Sequence, residues 1–203
     1  DMGEIAVRYG RKWRFSFNYD KTVYMCWGKD NHPEIEIRFG DEVIQPEAES
    51  RHMGITLITD KKLGPQICQR RVGKGKYPLL AGLGLGGSHV RTSPNTLSKI
   101  YWGVSIPKML FGLEVTPIDD ACIEMLEDSH RDNARLVQNL PIRTPKPAPV
   151  MMMGWQSIEA VIAYMKIMFL IRVLCLGADS IYRKLLVIGM ETYREKGPQR
   201  VHT

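Results

Sequence analysis

Cysteine is scarce in this chain: there are four, at 26, 68, 122 and 175, and no two form a Cys-x-x-Cys pair. That excludes a zinc knuckle and a dithiol redox motif. So few cysteines in 203 residues do not make a disulfide framework either, and the expectation is a reducing, intracellular setting, cytoplasmic or nuclear. Histidine is equally sparse. His32, His52, His89, His130 and His202 contain no His-Glu-x-x-His and no i, i+4 pair. No Ser, His and Asp constellation follows from sequence order, so the residues by themselves spell no complete catalytic site. There is no internal repeat and no charged-then-apolar leader. The first residue is not Met, which suggests a piece of something longer. The most apolar run, residues 158–176, is interrupted by Lys166 and Arg172. It reads as a largely buried helix of a soluble core rather than a membrane span, and no membrane partner is expected.

What is present is unevenly distributed charge. Residues 60–108 hold nine Lys and Arg and one acid, Asp60, a local charge of +8, whereas the whole chain is only +6. A concentrated positive charge attracts a polyanion and gains entropy from released counterions, so nucleic acid is the leading partner. The same run also suits a solvated helical face. The 44% hydrophobic and 25% charged content is that of an ordinary globular protein.

The expected fold class is α+β, a small antiparallel sheet followed by helices. Residues 3–12 read as a helix. Trp13, Phe15 and Phe17 alternate with polar residues as a short strand, and Asn18-Tyr19-Asp20 turns the chain. Residues 22–27 and 35–39 read as further strands, with a hairpin return at Val43-Ile44 and one more strand over 52–59 that contains Gly54. From residue 61 the pattern is helical, with turns at Gly64-Pro65, Ser93-Pro94 and Ile106-Pro107. Residues 119–139 form a helix, 141–149 a proline-rich connector, 155–176 the long apolar helix and 180–193 a last one. The expected organisation is 1–60, 61–140 and 141–203.

Four local features merit weighing. The glycines of residues 82–87 lack the preceding strand and the later acid of a dinucleotide fingerprint, and read as a break between helices. Asp119-Asp120 reads as a helix cap with a first-turn acid rather than a metal pair. Lys21 follows a turn and precedes an apolar strand, where a lysine can meet a phosphate or donate a proton, or simply sit in solvent. Gly54, between Met53 and Ile55, marks either a plain bulge or close approach by another backbone, including that of a nucleic acid.

In order along the chain, these segments resemble the reverse transcriptases of non-LTR retrotransposons. WRFSFNYDKTVYM, residues 13–25, resembles the motif D region of the polymerase palm. RHMGITL, residues 51–57, resembles the motif E primer grip, with Met53 where leucine is commoner. SPNTLSKIYWGVSIPKMLFGLEV, residues 93–115, resembles the thumb, its landmarks being Pro94, Lys99-Ile100-Tyr101, Pro107, Phe111-Gly112 and Glu114. MGWQSIEAVIAYMKIMFLIRVL, residues 153–174, is similar to the helical region downstream in jockey-like and LINE-like elements. The resemblance covers nearly the whole chain.

It implies an RNA-directed DNA polymerase whose partners are an RNA or DNA template-primer and, in the intact enzyme, a deoxynucleoside triphosphate. Residues 1–60 would be the end of the palm, 61–140 the thumb and 141–203 the C-terminal helices. Lys21 would be the motif D lysine near the triphosphate. Met53, Gly54 and Ile55 would support the primer end, and Lys61, Lys62, Arg70, Arg71, Lys74 and Lys76 would follow the duplex backbone. The metal-binding aspartates of the family should lie before motif D, with the fingers and the rest of the palm. Magnesium is therefore implied for the intact enzyme, and no cofactor for this chain. The rival is a helical protein-interaction or assembly module with no nucleic-acid role. A small nucleotide-cofactor enzyme using residues 82–87 is a third, less supported option.

Overall fold

The computed structural model describes residues 2–27, 37–40, 42–60, 64–84 and 92–196. The fold is α+β, with short antiparallel pairs near the N-terminus and helices after them. Two compact units divide it, Asp1–Leu63 and Gly64–Thr203. Residues on either side of 140 belong to the same unit, so the expected division there is not a break in packing.

In the first unit, helix α1 (Met2–Lys12) carries Glu4 in its first turn and Arg11 and Lys12 in its last, which complements its dipole. Strands β1 (Ile37–Phe39) and β2 (Glu42–Ile44) pair antiparallel, with Phe39 opposite Glu42. Strands β3 (Glu49–His52) and β4 (Ile55–Ile58) form a second, separate hairpin, with His52 opposite Ile55. The expected strand over 13–17 is irregular chain: Phe15 and Phe17 meet edge-on, and Phe17 meets Phe39 of β1 in the same way. The aromatic rings pack through their edges instead of joining a ladder. Residues 22–27 contribute a single bridge, Tyr24 with Pro46. Residues 52–59 are not one strand, because the chain reverses at Met53-Gly54, and both residues have positive φ, 49° and 84°. That pair of angles belongs to a two-residue hairpin turn whose twist matches the strands it joins.

The second unit is helical. Helix α2 (Gly64–Gly84) packs against α4 (Ile106–Leu110) and α5 (Asp120–Gln138). Helix α3 (Pro94–Ile100) opens on Ser93, whose hydroxyl accepts the Thr96 N–H, with Pro94 in the first turn, where its missing N–H costs nothing. Tyr101–Ser105 then widens into a π-helical turn and runs directly into α4, so the expected turn at Ile106-Pro107 is continuous helix. Gly75 lets α2 approach α4, and Gly82 lets it approach α3: a Cβ at Gly75 would come within 3.0 Å of Met109, and one at Gly82 within 3.0 Å of Ile100. Gly82 is thus a contact inside α2, while residues 85–87 lie outside the described residues.

Asp119 caps α5, accepting the Cys122 N–H at 2.8 Å, and Asn139 ends it in the left-handed region. Helix α6 (Pro147–Met153) occupies the end of the expected connector, held to α5 where the Gln138 side chain donates to the Pro149 carbonyl, 2.8 Å. Helix α7 (Ile158–Leu174) starts on Ser157, and the Glu127 carboxylate accepts the Glu159 N–H at 3.1 Å. Helix α8 (Ile181–Lys196) follows. Leu79, Leu97, Tyr101, Met109, Leu110 and Leu126 are fully buried at the centre of the unit.

One expectation fails here and one pairing was not foreseen. Cys68 of α2 and Cys122 of α5 form a disulfide, with Cα atoms 5.8 Å apart, where α2 packs against α5. Helix α7 is not largely buried. Only Ile158 and Ile162 are enclosed, whereas Tyr164, Ile167, Phe169 and Ile171 are exposed. No helix among the described residues is long and apolar enough to cross a membrane.

Candidate nucleic-acid interface

The cations of α2 separate by helical phase. Arg70 and Lys74 stand one turn apart on the exposed side, together with Gln66, Gln69 and Tyr77. These residues line an open, shallow hollow together with Gly73. Tyr77 is 71% exposed. The stripe thus joins two cationic groups, two amides and a phenol along one helical face. Such a surface supplies charge, hydrogen-bond donors and a stacking ring to a phosphate backbone without reading bases.

Arg71, 100° around the helix from Arg70, falls on the buried side. It is 7% exposed, and its Nη1 donates to the Phe111 carbonyl at 2.6 Å. Burial lowers its pKa, and the nearby Glu114 acts in the opposite direction. This guanidinium ties the end of α4 to α2 and does not face a duplex. The apolar and small residues at its phase, Cys68, Gly75, Leu79 and Gly82, were the available signal.

Lys76 lies on a third face, in a shallow cleft between α2 and α5 that Asp128 and Asp132 also line. The acids of α5 are largely answered from their own surroundings: Lys146 bonds Asp128 at 2.8 Å, Arg131 reaches Asp128 at 3.0 Å and Glu124 at 3.1 Å, and Arg135 pairs with Asp132. The hydrogen bond from Lys146 is the chief reason the Asp128 pKa is lowered. Lys76 therefore stands beside carboxylates. Lys61, Lys62 and Arg91 lie outside the described residues.

In the first unit, Lys21 ends a 3-10 turn, Tyr19–Lys21, that is pinned by Asn18. The Asn18 side chain accepts the Lys21 N–H at 3.2 Å, and the Thr22 hydroxyl donates to the Asn18 carbonyl at 2.8 Å. The backbone under Lys21 is therefore fixed while its side chain is exposed. Met53 and Gly54 form the tip of the β3–β4 hairpin, with Met53 83% exposed and Ile55 half-buried behind it. The hairpin is steadied at its base, where the Trp27 indole N–H donates to the Ile58 carbonyl at 2.9 Å.

A second polar cluster, not legible in the sequence, is enclosed in the helical unit. Tyr101 Oη and His130 Nδ1 are 2.8 Å apart, Trp155 stacks on Tyr101 with centroids 4.6 Å apart, and Asn133 lies beside them. Burial pushes the His130 pKa down to about 4 and the Tyr101 pKa up. Tyr101, His130 and Asn133 are buried and Trp155 is half-buried over them, which suits a structural role.

Asp119 is committed to capping α5, and no three His, Cys, Asp or Glu converge on a common point among the described residues. Compared with known proteins, the chain matches no family model, no curated protein and no solved structure.

Proposed function

We propose that this chain contributes the template-primer-contacting part of an RNA-directed DNA polymerase of the non-LTR retrotransposon type, and that by itself it binds primed nucleic acid without extending it. The observation that carries the reading is the exposed stripe of Arg70 and Lys74 with Gln66, Gln69 and Tyr77 on α2. The ordered resemblance of residues 13–25, 51–57, 93–115 and 153–174 supports the polymerase reading. On that reading Lys21 stands near the incoming triphosphate, where its pinned backbone favours a defined reach. The tip formed by Met53 and Gly54 meets the primer backbone, with Ile55 behind it. A glycine with positive φ at an exposed tip suits close approach by a second backbone. Arg70 and Lys74 track phosphates. An A-form duplex is held mainly through phosphates, 2′-hydroxyls and shape, which a helix bearing cations and amides can supply.

Fluorescence anisotropy with a primed RNA–DNA duplex at low salt tests the binding half, and saturable binding is expected. A primer-extension assay with magnesium tests the other half, and no extension is expected. Robust synthesis by this chain would refute it. The second reading, a helical protein-interaction or assembly module, is favoured by the exposed apolar faces of α7 and α8. Absence of duplex binding at low salt selects it.

A further inference from the structure

Helices α7 and α8 carry an apolar seam each. On α7, Ala160, Tyr164, Ile167, Ile171 and Leu174 follow one another at alternating steps of four and three, and all are exposed. They stand opposite Ile158 and Ile162, which face the core. On α8 the same spacing picks out Ile181, Leu185, Ile188 and Thr192, again all exposed. Steps of four and three are the signature of helices that pack side by side in a bundle. A helix with so much exposed apolar surface needs cover, and the core encloses α7 only near its start.

Area and charge identify the cover. Seven large apolar side chains of the two seams, from Tyr164 to Ile188, are more than a third exposed. With roughly half of each in water, their exposed area is on the order of 600 Å2, comparable to the roughly 800 Å2 per partner of a stable interface. On α8 the seam is edged on one side by Lys184 and Glu191, seven residues apart. When two copies of α8 run antiparallel, this edge meets its own reverse, so each Lys184 lies against the Glu191 of the other copy. In a parallel pairing the edge would face Tyr182 and Gly189 instead. The present neighbour of Lys184, Asp179 at 3.8 Å, is fully exposed and holds it weakly. We infer that the chain self-associates as a two-fold dimer through α7 and α8, with the two α8 helices antiparallel. A two-fold contact of this kind uses one self-complementary patch on both copies and closes after two.

Sedimentation equilibrium of the purified chain, from micromolar concentrations upward, is the test. The expected species is a discrete dimer. Ile188→Asp should give a monomer of unchanged helicity, since the side chain is 58% exposed and removes nothing from the core. Lys184→Glu and Glu191→Lys should each raise the dimer dissociation constant at least tenfold by setting like charges together. The combined Lys184→Glu, Glu191→Lys exchange should restore it to within a few-fold of the original. A monomer at all concentrations, a polydisperse aggregate, or an exchange variant as weak as either single variant would overturn the inference.

Discussion

Arg70 and Arg71 are neighbours in sequence with opposite fates. Arg70 is exposed on the outer stripe of α2, and Arg71 is buried against the Phe111 carbonyl. Arg71→Ala should therefore cost about 2 kcal/mol or more in denaturant unfolding, because it removes a buried side chain and its hydrogen bond to the Phe111 carbonyl. Arg70→Ala and Lys74→Ala should each stay within about 0.5 kcal/mol of the parent. Equal losses at all three would contradict the assignment. His130 offers a second residue-level prediction. An unfolded histidine titrates near 6.5, but the buried ring titrates at about 4. Above pH 6.5 neither state is protonated and stability is at its full value. As pH falls below 6.5 the unfolded chain takes up a proton that the folded chain refuses, and stability declines until about pH 4. Between pH 7 and 5 the loss should be about 2 kcal/mol, measured by urea unfolding. His130→Gln should flatten that dependence, and an equally steep decline in the variant would exclude His130 as its source.

Among elements, those announced by end signals were legible. Asp119 and Asn139 bracket α5, and the acid-first, base-last order of α1 marks its span, whereas Ser93-Pro94, read as a turn, is the cap that opens α3. The elements that were misread lack such signals. Met-Gly is a poor hairpin turn compared with Asn-Gly, so β3 and β4 looked like one strand around Gly54. The structure holds Met53 at φ 49° and Gly54 at φ 84°. Gly54→Ala should lower the stability of this hairpin by about 1 kcal/mol, whereas Met53→Asn should not, since Asn tolerates positive φ. Amide exchange over residues 49–58 reads both, and equal protection in parent and Gly54→Ala would contradict the turn. The charge count in 60–108 was right but carried no phase. Helical phase against Cys68, Gly75 and Leu79 was needed to separate Arg71 from Arg70. Apolar content alone made α7 look enclosed, because a sequence does not say whether the neighbour that covers a helix belongs to the same chain.

For the whole molecule, the α+β class and the change of character near residue 60 were visible in composition and periodicity. The closed pairing of Cys68 with Cys122 and the Tyr101–His130–Trp155 cluster were not, since both join residues far apart in sequence. The central claim is that the outer stripe of α2 grips a phosphate backbone. Its most direct test is the slope of log affinity against log salt for a primed RNA–DNA duplex, from about 50 to about 200 mM, comparing the parent chain with the Arg70→Ala, Lys74→Ala double variant. The account predicts a steep loss of affinity in the parent. In the double variant it predicts weaker binding, with the slope reduced by about two phosphate contacts. A double variant whose affinity and slope equal those of the parent would contradict it.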